Sequence, residues 1–300
     1  MNELATKMQI AYFRLHNHIE NAIVPRNLNQ RLETFPYISC DSYALKCDFA
    51  FSRESTMEEL EMKLESLSNY TSIYIPTRFA GTIANHFMRD KKVIQKIVIG
   101  DDDQSPTMGE IRNLAKVCNK LFCINVVQNN HLIHSIPIGL ESPSYRTGGR
   151  LKDFSKRPEQ NPKKRPLSFL VAWNTSTNVI MREHAADVFK KAPDTYVAAH
   201  RIPAQVVHKL MRKSLFVPCP AGNGLDTHRI WESLFLGSVP IILQKDAFSA
   251  LEGWPVLTVK SWQEVSELSR HKIEKLYESL IWAPEKVLQK SKEILKEVQS

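Results

Sequence analysis

The sequence predicts an α/β protein made of two doubly wound domains that face a common cleft, with a helical tail at the C-terminus. Two observations carry this prediction. Short apolar runs alternate with amphipathic stretches of helical period in both halves of the chain, which is typical of parallel sheets covered by helices. Between the halves, residues 142–166 are rich in proline, glycine and basic side chains, as interdomain segments often are. A length of 300 residues suits two such domains.

The N-terminal half contains six apolar runs that predict strands, at residues 9–13, 48–51, 72–75, 96–99, 121–127 and 133–138. Helical periodicity predicts helices at residues 56–68, 80–90 and 107–119. Thr56, followed closely by Glu58 and Glu59, is a favourable helix start. We expect residues 1–145 to form the first domain.

The C-terminal half repeats the alternation after residue 166. Strands are predicted at residues 167–172, 195–199, 214–217 and 239–243, and helices at residues 179–191 and 203–212. From residue 262 onward the pattern is helical and amphipathic, and Pro284 separates two helices. We expect residues 167–300 to form the second domain, joined to the first by a basic linker at residues 146–166.

The net charge of +8 is concentrated in the basic linker. Eight basic and two acidic side chains lie between residues 146 and 165, which gives this segment a local charge of +6. A solvated tether, peripheral contact with an anionic membrane surface, and nucleic-acid binding each account for such a segment. It matches no nucleic-acid motif and holds few aromatic residues, so we expect no nucleic-acid partner.

Two features of the sequence bear on the cellular compartment. No apolar run approaches transmembrane length, and the first residues lack the long apolar stretch of a secretory signal. The five cysteines form no CxxC pair and no zinc-ligand spacing, which predicts buried free thiols in a reducing compartment. We therefore expect a cytoplasmic protein that is peripheral at the membrane if the basic linker contacts lipid.

Residues 214–242 carry the strongest functional signal in the chain. They predict a strand, a loop that contains Gly222 and Gly224, a helix that Asp226 or Thr227 can cap, and a second apolar strand. Such a loop leaves backbone N–H groups free at the start of the helix. Free N–H groups at a helix N-terminus suit a phosphate or another anion.

The helix after this loop places Arg229 and Glu232 one turn apart on one face, together with His228, whereas Trp231 and Phe235 lie on the opposite face. Arginine can bind a diphosphate, and glutamate can accept hydrogen bonds from ribose hydroxyls. The pair therefore predicts a nucleotide-sugar site. The alternative is an ordinary ion pair on the surface of a helix in a βαβ unit.

The segment resembles the donor-binding segment of exostosin-like glycosyltransferases. That family carries a proline–glycine loop, an arginine and a glutamate three residues apart, and a strand that reads small-Val-Pro-Val/Ile-Ile. The matching residues here are Pro220, Gly222, Gly224, Asp226, Arg229, Glu232, Gly237, Val239, Pro240 and Ile241. The resemblance implies a GT-B fold of two Rossmann-like domains, with the donor held mainly by the second domain. It also implies transfer with inversion, and a C-terminal helix that crosses back onto the first domain.

A polar loop at residues 173–178 precedes a helix that carries Arg182 in its first turn. The helix dipole disfavours a cation at this position, and a bound anion would compensate for it. The resemblance likewise implies an asparagine/threonine loop and an arginine near the donor diphosphate. The predicted donor-binding residues are Asn174, Thr175, Arg182, Gly222, Asn223, Gly224, Asp226, Arg229 and Glu232.

Three consecutive carboxylates, Asp101, Asp102 and Asp103, follow the predicted strand at residues 96–99. A carboxylate at the edge of a cleft can act as the general base for an acceptor hydroxyl. The resemblance favours Asp103 in this role, with Asp102 as the second candidate and Glu141 as the third. Asp101 and Asp103 also fit a DxD metal site, but we expect an enzyme that needs neither metal nor cofactor.

The function predicted from these residues is transfer of a hexosyl or pentosyl unit from a nucleotide-sugar donor to a hydroxyl of a glycan or polysaccharide. One rival is a non-catalytic nucleotide-binding module, which would not need Asp103. Another is a nucleic-acid-binding protein that uses the basic linker. Three histidines, His86, His134 and His208, have no matched partner in the sequence, and we expect them to be surface or core residues.

Overall fold

The computed structural model describes residues 30–127, 131–145 and 150–300. The strand predicted at residues 9–13 lies outside the described residues, as do Arg146 and the two glycines of the basic linker, Gly148 and Gly149.

The N-terminal half forms a sheet of five parallel strands. The strands are β1 (Phe49–Ala50), β2 (Ser72–Pro76), β3 (Ile94–Gly100), β4 (Cys118–Cys123) and β5 (His134–Ser135), and they lie side by side in chain order. The helices of this half are α1 (Cys40–Ala44), α2 (Met57–Leu67), α3 (Ala80–Asp90) and α4 (Met108–Leu114). Because all five strands run in one direction, the loops that follow them emerge at the same edge of the sheet.

The C-terminal half forms a second sheet of five parallel strands. These are β6 (Leu167–Val171), β7 (Thr195–Val197), β8 (Ser214–Pro218), β9 (Val239–Leu243) and β10 (Leu257–Val259), in the spatial order β10-β9-β8-β6-β7. The helices are α5 (Val179–Phe189), α6 (Ala204–Met211), α7 (His228–Phe235), α8 (Gln263–Ser266), α9 (Arg270–Leu280) and α10 (Pro284–Gln299). The α/β prediction is confirmed: the described residues form two parallel sheets, compatible with Rossmann-like domains. The strand order reverses, as in a doubly wound sheet, in the second of them, whereas the described strands of the first follow the order of the chain.

The strand order of the second sheet reverses between β6 and β8. From β6 the chain runs outward to β7 on one side and then returns to β8 on the other. In doubly wound sheets, such a switch point opens a crevice beyond the carboxyl ends of the two strands, and ligands bind there. The loops that border this crevice are the two that the sequence assigns to the donor.

Apolar side chains alternate between two sides of each sheet. In β3, Val98 faces a core shared by the two halves, whereas Ile97 and Ile99 pack on the other side of the sheet. In β6, Leu170 faces the shared core, whereas Phe169 packs on the outer side. This period of two is the expected pattern for strands buried on both faces. The shared core fixes the edges of the two sheets relative to each other.

The C-terminal helix α10 crosses back onto the N-terminal half, as the resemblance implies. Lys96 in β3 donates to the backbone oxygen of Gln299 at 3.0 Å and to that of Val298. Ser291 Oγ donates to the backbone oxygen of Pro36 at 2.6 Å. The Lys96 ammonium thus lies at the negative end of the helix dipole, where a cation is stabilising.

The described part of the basic linker is packed against the C-terminal half. Arg165 is fully buried and donates to the backbone oxygens of Ser214 at 2.8 Å, Met211 at 2.7 Å and Leu236 at 3.3 Å. Met211 and Leu236 lie at the C-terminal ends of α6 and α7, so one guanidinium satisfies carbonyls at the ends of two helices. Burial lowers the pKa of Arg165 to about 10. Arg165 is therefore not part of a solvated tether. The other basic residues include four that are exposed: Lys152, Lys156, Lys163 and Lys164.

Three predicted boundaries in the first half are wrong. The helix predicted at residues 107–119 ends at Leu114, because Cys118 already pairs with Ile94 in the sheet. The strand predicted at residues 121–127 begins earlier and ends at Cys123, and Asn125 turns the chain with a φ of 59°. Asparagine tolerates this left-handed conformation better than most residues. Of the run at residues 133–138, only His134 and Ser135 pair with β4.

All five cysteines are free thiols. Four are buried and Cys47 is half-buried, and burial raises the pKa of Cys40 and Cys219 to about 12. Within the described ranges, no helix is both long and apolar enough to cross a membrane.

Candidate functional site

A cavity of about 260 Å³ lies where the loops of the two sheets meet. Its wall on the N-terminal half includes Asp103 and Glu141. The wall on the C-terminal half is formed by Asn174, Arg182, Gly222, Asn223, Gly224, Asp226, Arg229 and Glu232, together with Trp173, Thr177, Thr227 and His228. The fold therefore brings ten of the twelve predicted site residues to one cavity. Asp102 and Thr175 do not line it.

The glycine loop, which contains Gly222 and Gly224, directly contacts the acidic loop, which contains the three consecutive aspartates at residues 101–103. Asn223 Nδ2 donates to Asp103 Oδ2 at 2.8 Å. A Cβ atom at Gly224 would lie 2.6 Å from the backbone oxygen of Asp103 and 2.8 Å from Asn125 Oδ1. Only glycine leaves room for this approach, because real Cβ contacts are longer than these distances.

Arg182 lies under the same loop and is less than one-tenth exposed. Its Nε donates to the backbone oxygen of Ala221 at 3.2 Å, and its Nη1 donates to that of Asn174 at 2.5 Å. A Cβ atom at Gly222 would lie 2.7 Å from Nη2 of Arg182, so the absence of a side chain at Gly222 makes space for the guanidinium.

The charge of Arg182 is not balanced by a nearby carboxylate. None of the carboxylates in the described residues forms an ion pair with it, whereas Arg229 adds a second positive charge close by. Burial and the charge of Arg229 together lower the pKa of Arg182 to about 10. A buried cation of this kind is costly unless an anion accompanies it. The arrangement therefore favours an anionic ligand.

Arg229 and Glu232 form an ion pair at 2.8 Å, as their spacing on α7 predicts. Glu232 is buried, and its Oε1 also lies 3.6 Å from Nε2 of His208. Burial raises the pKa of Glu232, but the positive charges of Arg229 and His208 outweigh this effect and bring it down to about 2. Glu232 is therefore an ionised hydrogen-bond acceptor in the wall of the cavity.

His208 has partners that the sequence did not reveal. It is buried between Asp153, whose Oδ2 lies 3.1 Å from Nδ1, and Glu232. Burial lowers the pKa of His208, but the two carboxylates outweigh it and leave the pKa raised. His86 and His134 also have carboxylate neighbours: Asp90 at 3.4 Å and Glu297 at 3.5 Å. His86 and His208 are core residues and His134 is a surface residue, as expected. Their partners were not evident in the sequence because each lies on another turn or another element.

Asp226 does not cap the helix that follows it. Thr227 takes the N-cap position but makes no side-chain capping bond, and its buried hydroxyl has no partner among the described residues. The Asp226 carboxylate instead accepts from the backbone N–H of Ile138 at 2.7 Å and from Nε1 of Trp231 at 2.6 Å. Burial raises the pKa of Asp226 to about 7 even though these bonds lower it. Asp226 thus joins the two halves beneath the cavity.

The other two of the three consecutive carboxylates, Asp101 and Asp102, are held by arginines. Asp102 accepts from the backbone N–H of Arg78 at 3.0 Å and from its Nη1 at 2.8 Å. The buried Asp101 carboxylate accepts from Arg31 at 2.9 Å and from Arg53 at 3.2 Å. A carboxylate held by two guanidinium groups is a poor metal ligand, which argues against the DxD alternative.

The three metal-ligating side chains that do lie close together in the described part of the chain are Glu65, His86 and Asp90. They belong to α2 and α3 and do not line the cavity.

His228 also lines the cavity, although no role was predicted for it from the sequence. Its Nδ1 lies 2.8 Å from the backbone oxygen of Gly139, and its Nε2 lies 3.6 Å from Oε1 of Glu141. The sequence placed His228 on the same helix face as Arg229. Both partners lie almost 90 residues earlier in the chain, so spacing along the sequence carried no signal of them.

A second cavity, of about 180 Å³, adjoins the first. The two share Trp173, Asn174, Arg229 and Glu232 in their walls. The second is otherwise formed by the loop after β7 and the start of α6, including His200 and Ile202. The sequence did not predict a role for this loop.

Comparison of the sequence with protein-family models gives no match, and comparison with curated proteins gives none either.

Proposed function

We propose that the protein is a glycosyltransferase that moves a sugar from a nucleotide-sugar donor to a hydroxyl of a glycan or polysaccharide. The observation that carries this proposal is the buried, unbalanced charge of Arg182 beside Arg229 at the switch point of the second sheet. A diphosphate is the part of a nucleotide-sugar that this charge suits.

Three groups support diphosphate binding at one place. Arg182 and Arg229 line the cavity, and α7 begins there without a side-chain cap. The uncapped start of a helix presents backbone N–H groups and the positive end of its dipole. Together these groups can stabilise the charge that develops on a departing diphosphate without a metal ion.

The two adjoining cavities fit the two parts of a nucleotide. The second cavity combines the apolar walls of Ala198, Ile202 and Val207 with the ring of Trp173, which suits a nucleobase. Glu232 lies in the wall shared by the two cavities and is ionised, so it can accept hydrogen bonds from ribose hydroxyls.

The acceptor would enter from the wall formed by the N-terminal half. In the transfer, the acceptor oxygen bonds to the anomeric carbon while the bond from that carbon to the diphosphate oxygen breaks. The electron pair leaves with the nucleoside diphosphate, and the hydroxyl proton passes to a base. Asp103 and Glu141 line the cavity and stay candidates for this base, whereas Asp102 is held by Arg78.

The resemblance to exostosin-like enzymes supports the same assignment and adds the GT-B arrangement and inversion. It also supports a domain division at the basic linker. The exposed lysines of that linker support peripheral contact with an anionic membrane surface from the cytoplasmic side.

A non-catalytic nucleotide-binding module is the second candidate. It is favoured by one observation: the carboxylates of the acidic loop already have partners, with Asp103 bonded to Asn223 and Asp102 to Arg78. Such a module would bind the nucleotide through the same arginines but would not turn over the donor.

The test is a binding screen of nucleosides, nucleoside diphosphates and nucleotide-sugars, read by thermal shift. A ligand present at a hundredfold excess over its dissociation constant stabilises the folded state by about 2.7 kcal/mol. We expect stabilisation by at least one nucleoside diphosphate and its nucleotide-sugars, and none by the matching nucleoside at the same concentration. If no diphosphate-bearing ligand raises the melting temperature, the donor site and both candidate functions are wrong.

A further inference from the structure

His228 is positioned by a contact that fixes its protonation state. A backbone carbonyl can only accept a hydrogen bond, so the short contact to the Gly139 oxygen at 2.8 Å requires the proton of the neutral ring to be on Nδ1. Nε2 then carries the free lone pair. Because the residue is the first of α7 and lines the cavity, this lone pair is available on the side where the acceptor would enter.

Glu141 lies on the same side of the ring, with Oε1 at 3.6 Å from Nε2. A carboxylate in this place stabilises the imidazolium that forms when Nε2 takes up a proton. The Gly139 oxygen thus orients the ring through Nδ1, while Glu141 stabilises the positive charge that forms on it.

The other charged groups around His228 come from both halves. Glu232 adds negative charge from α7, and Asp226 adds it from the glycine loop once its carboxyl has ionised, whereas Arg182 and Arg229 add positive charge to the same cavity. Asp103 lies across the cavity. Burial lowers the pKa of His228, but Glu141 and the other carboxylates outweigh it and leave the pKa raised above its ordinary value. The ring is therefore a stronger base than a histidine in water.

We propose that His228, held by Gly139 and supported by Glu141, accepts the proton of the acceptor hydroxyl during transfer. This inference rests on the proposed transferase function and assigns the base within it. The O–H bond breaks as the oxygen bonds to the anomeric carbon, the proton goes to Nε2, and the diphosphate leaves with the electron pair of the broken glycosidic bond. Glu141 is a positioning residue that acts through His228. Asp103 then holds the glycine loop through Asn223.

A pH profile separates this assignment from a structural role. Only the unprotonated ring can accept the proton, so transfer falls as the pH drops through the pKa of His228. Removing the negative charge of Glu141 destabilises the imidazolium and lowers that pKa. We therefore expect the acid limb of the profile to move to lower pH in Glu141→Gln, with a lower maximal rate because the base is weaker.

The decisive variant is His228→Asn. The asparagine amide can still donate to Gly139 but offers nothing in place of Nε2. We expect the transfer rate to fall by about 10²–10⁴-fold, the range for loss of a general base, and the histidine acid limb to disappear. The affinity for nucleoside diphosphate, measured by calorimetry, should stay within about threefold of the parent. This limit lies well below the tenfold change that about 1.4 kcal/mol of binding free energy would produce. His271→Asn, at an exposed position on α9, is the matched control and should keep the parental rate and profile.

Three outcomes would overturn the inference. If His228→Asn binds nucleoside diphosphate and transfers at the parental rate with the parental pH profile, His228 is not the base. If His228→Asn fails to fold, Glu141→Gln decides, and an unshifted acid limb counts against the assignment. If the parent binds the donor but transfers nothing to any acceptor over the pH range, the transferase function itself fails, and the inference fails with it.

Discussion

Asn223 Nδ2 donates a hydrogen bond of 2.8 Å to Asp103 Oδ2, which joins two loops that are 120 residues apart in the chain. One loop follows β3 of the first sheet, and the other follows β8 of the second. The carboxyl ends of two parallel sheets thereby meet at a single cavity. This contact joins the cavity wall of the N-terminal half to that of the C-terminal half.

The first prediction concerns Arg182. Arg182→Gln removes a charge-assisted contact worth about 1.5–3 kcal/mol, so the affinity for nucleoside diphosphate should fall about 10- to 150-fold. The melting temperature of the ligand-free protein should change little, because removal of a desolvated cation that no described carboxylate balances offsets the loss of its bonds to the backbone oxygens of Ala221 and Asn174. Arg112→Gln, at an exposed position on α4, should change neither. Unaltered diphosphate affinity in Arg182→Gln, measured by calorimetry, would remove the main support for the donor site.

The second prediction concerns Gly224. In Gly224→Ala the new methyl group would lie 2.6 Å from the backbone oxygen of Asp103, so the two loops must separate. Overpacking of this kind typically costs about 1–3 kcal/mol of unfolding free energy. Gly109→Ala is the matched control, since the nearest atom to its Cβ would be 3.8 Å away. If denaturant unfolding finds the two variants equally stable, the close approach of the loops is wrong.

The third prediction is a pH dependence at Asp226. The pKa of its carboxyl is raised to about 7, so the folded state holds a proton that the unfolded chain releases near pH 4. The stabilising contribution is therefore full below pH ~4 and is lost as the pH rises through 7, to a total of about 4 kcal/mol at most.

This dependence is isolated by comparing the parent with Asp226→Asn. Their difference in unfolding free energy should fall steadily between pH ~4 and ~7. A flat difference would mean that the Asp226 carboxyl ionises as it does in water.

The fourth prediction concerns the basic linker. The Lys152→Glu/Lys163→Glu variant reverses two exposed charges, so co-sedimentation with vesicles that contain acidic lipid should weaken. The parental attachment should itself decline as salt shortens the screening length. Lys272→Glu/Lys275→Glu makes the same change on exposed positions of α9 and should sediment like the parent. Equal sedimentation of the parent with neutral and acidic vesicles would exclude the membrane contact.

The fifth prediction concerns metal. If Arg182, Arg229 and the start of α7 stabilise the departing diphosphate, transfer should persist in excess chelator. Loss of transfer with EDTA and its recovery with manganese or magnesium would show that a divalent ion does this work.

The parallel sheets could be predicted from the sequence because they depend on local patterns. The loops after β6 and β8 were also predictable, since both follow buried strands and carry polar or glycine residues. The strand order that makes Arg182 and Gly222 neighbours depends on long-range pairing, which periodicity does not specify. That these two loops lie close together could be predicted only from the fold class.

Individual contacts were less predictable than the loops. Asp101, Asp102 and Asp103 are adjacent in the chain, but each binds a different partner. Asp101 binds Arg31 and Arg53, Asp102 binds Arg78, and Asp103 binds Asn223. Burial of Arg165 was hidden for the same reason, because its acceptors are carbonyls at distant helix ends. In a sequence, a run of like charges predicts a solvated segment. The partners of these charges can be identified only in the tertiary structure.

The central claim is tested most directly by acceptor-dependent release of nucleoside diphosphate. A nucleotide-sugar that stabilises the protein is incubated with and without candidate glycans, and free nucleoside diphosphate is measured for the parent and for Arg182→Gln. We predict release by the parent that rises severalfold with a suitable acceptor, in step with formation of the glycosylated product, and release at least tenfold slower in Arg182→Gln when the donor is far below saturation. A parent that binds the nucleotide-sugar tightly but releases nothing beyond the protein-free rate, with every acceptor, would contradict the transferase account and leave a nucleotide-binding module.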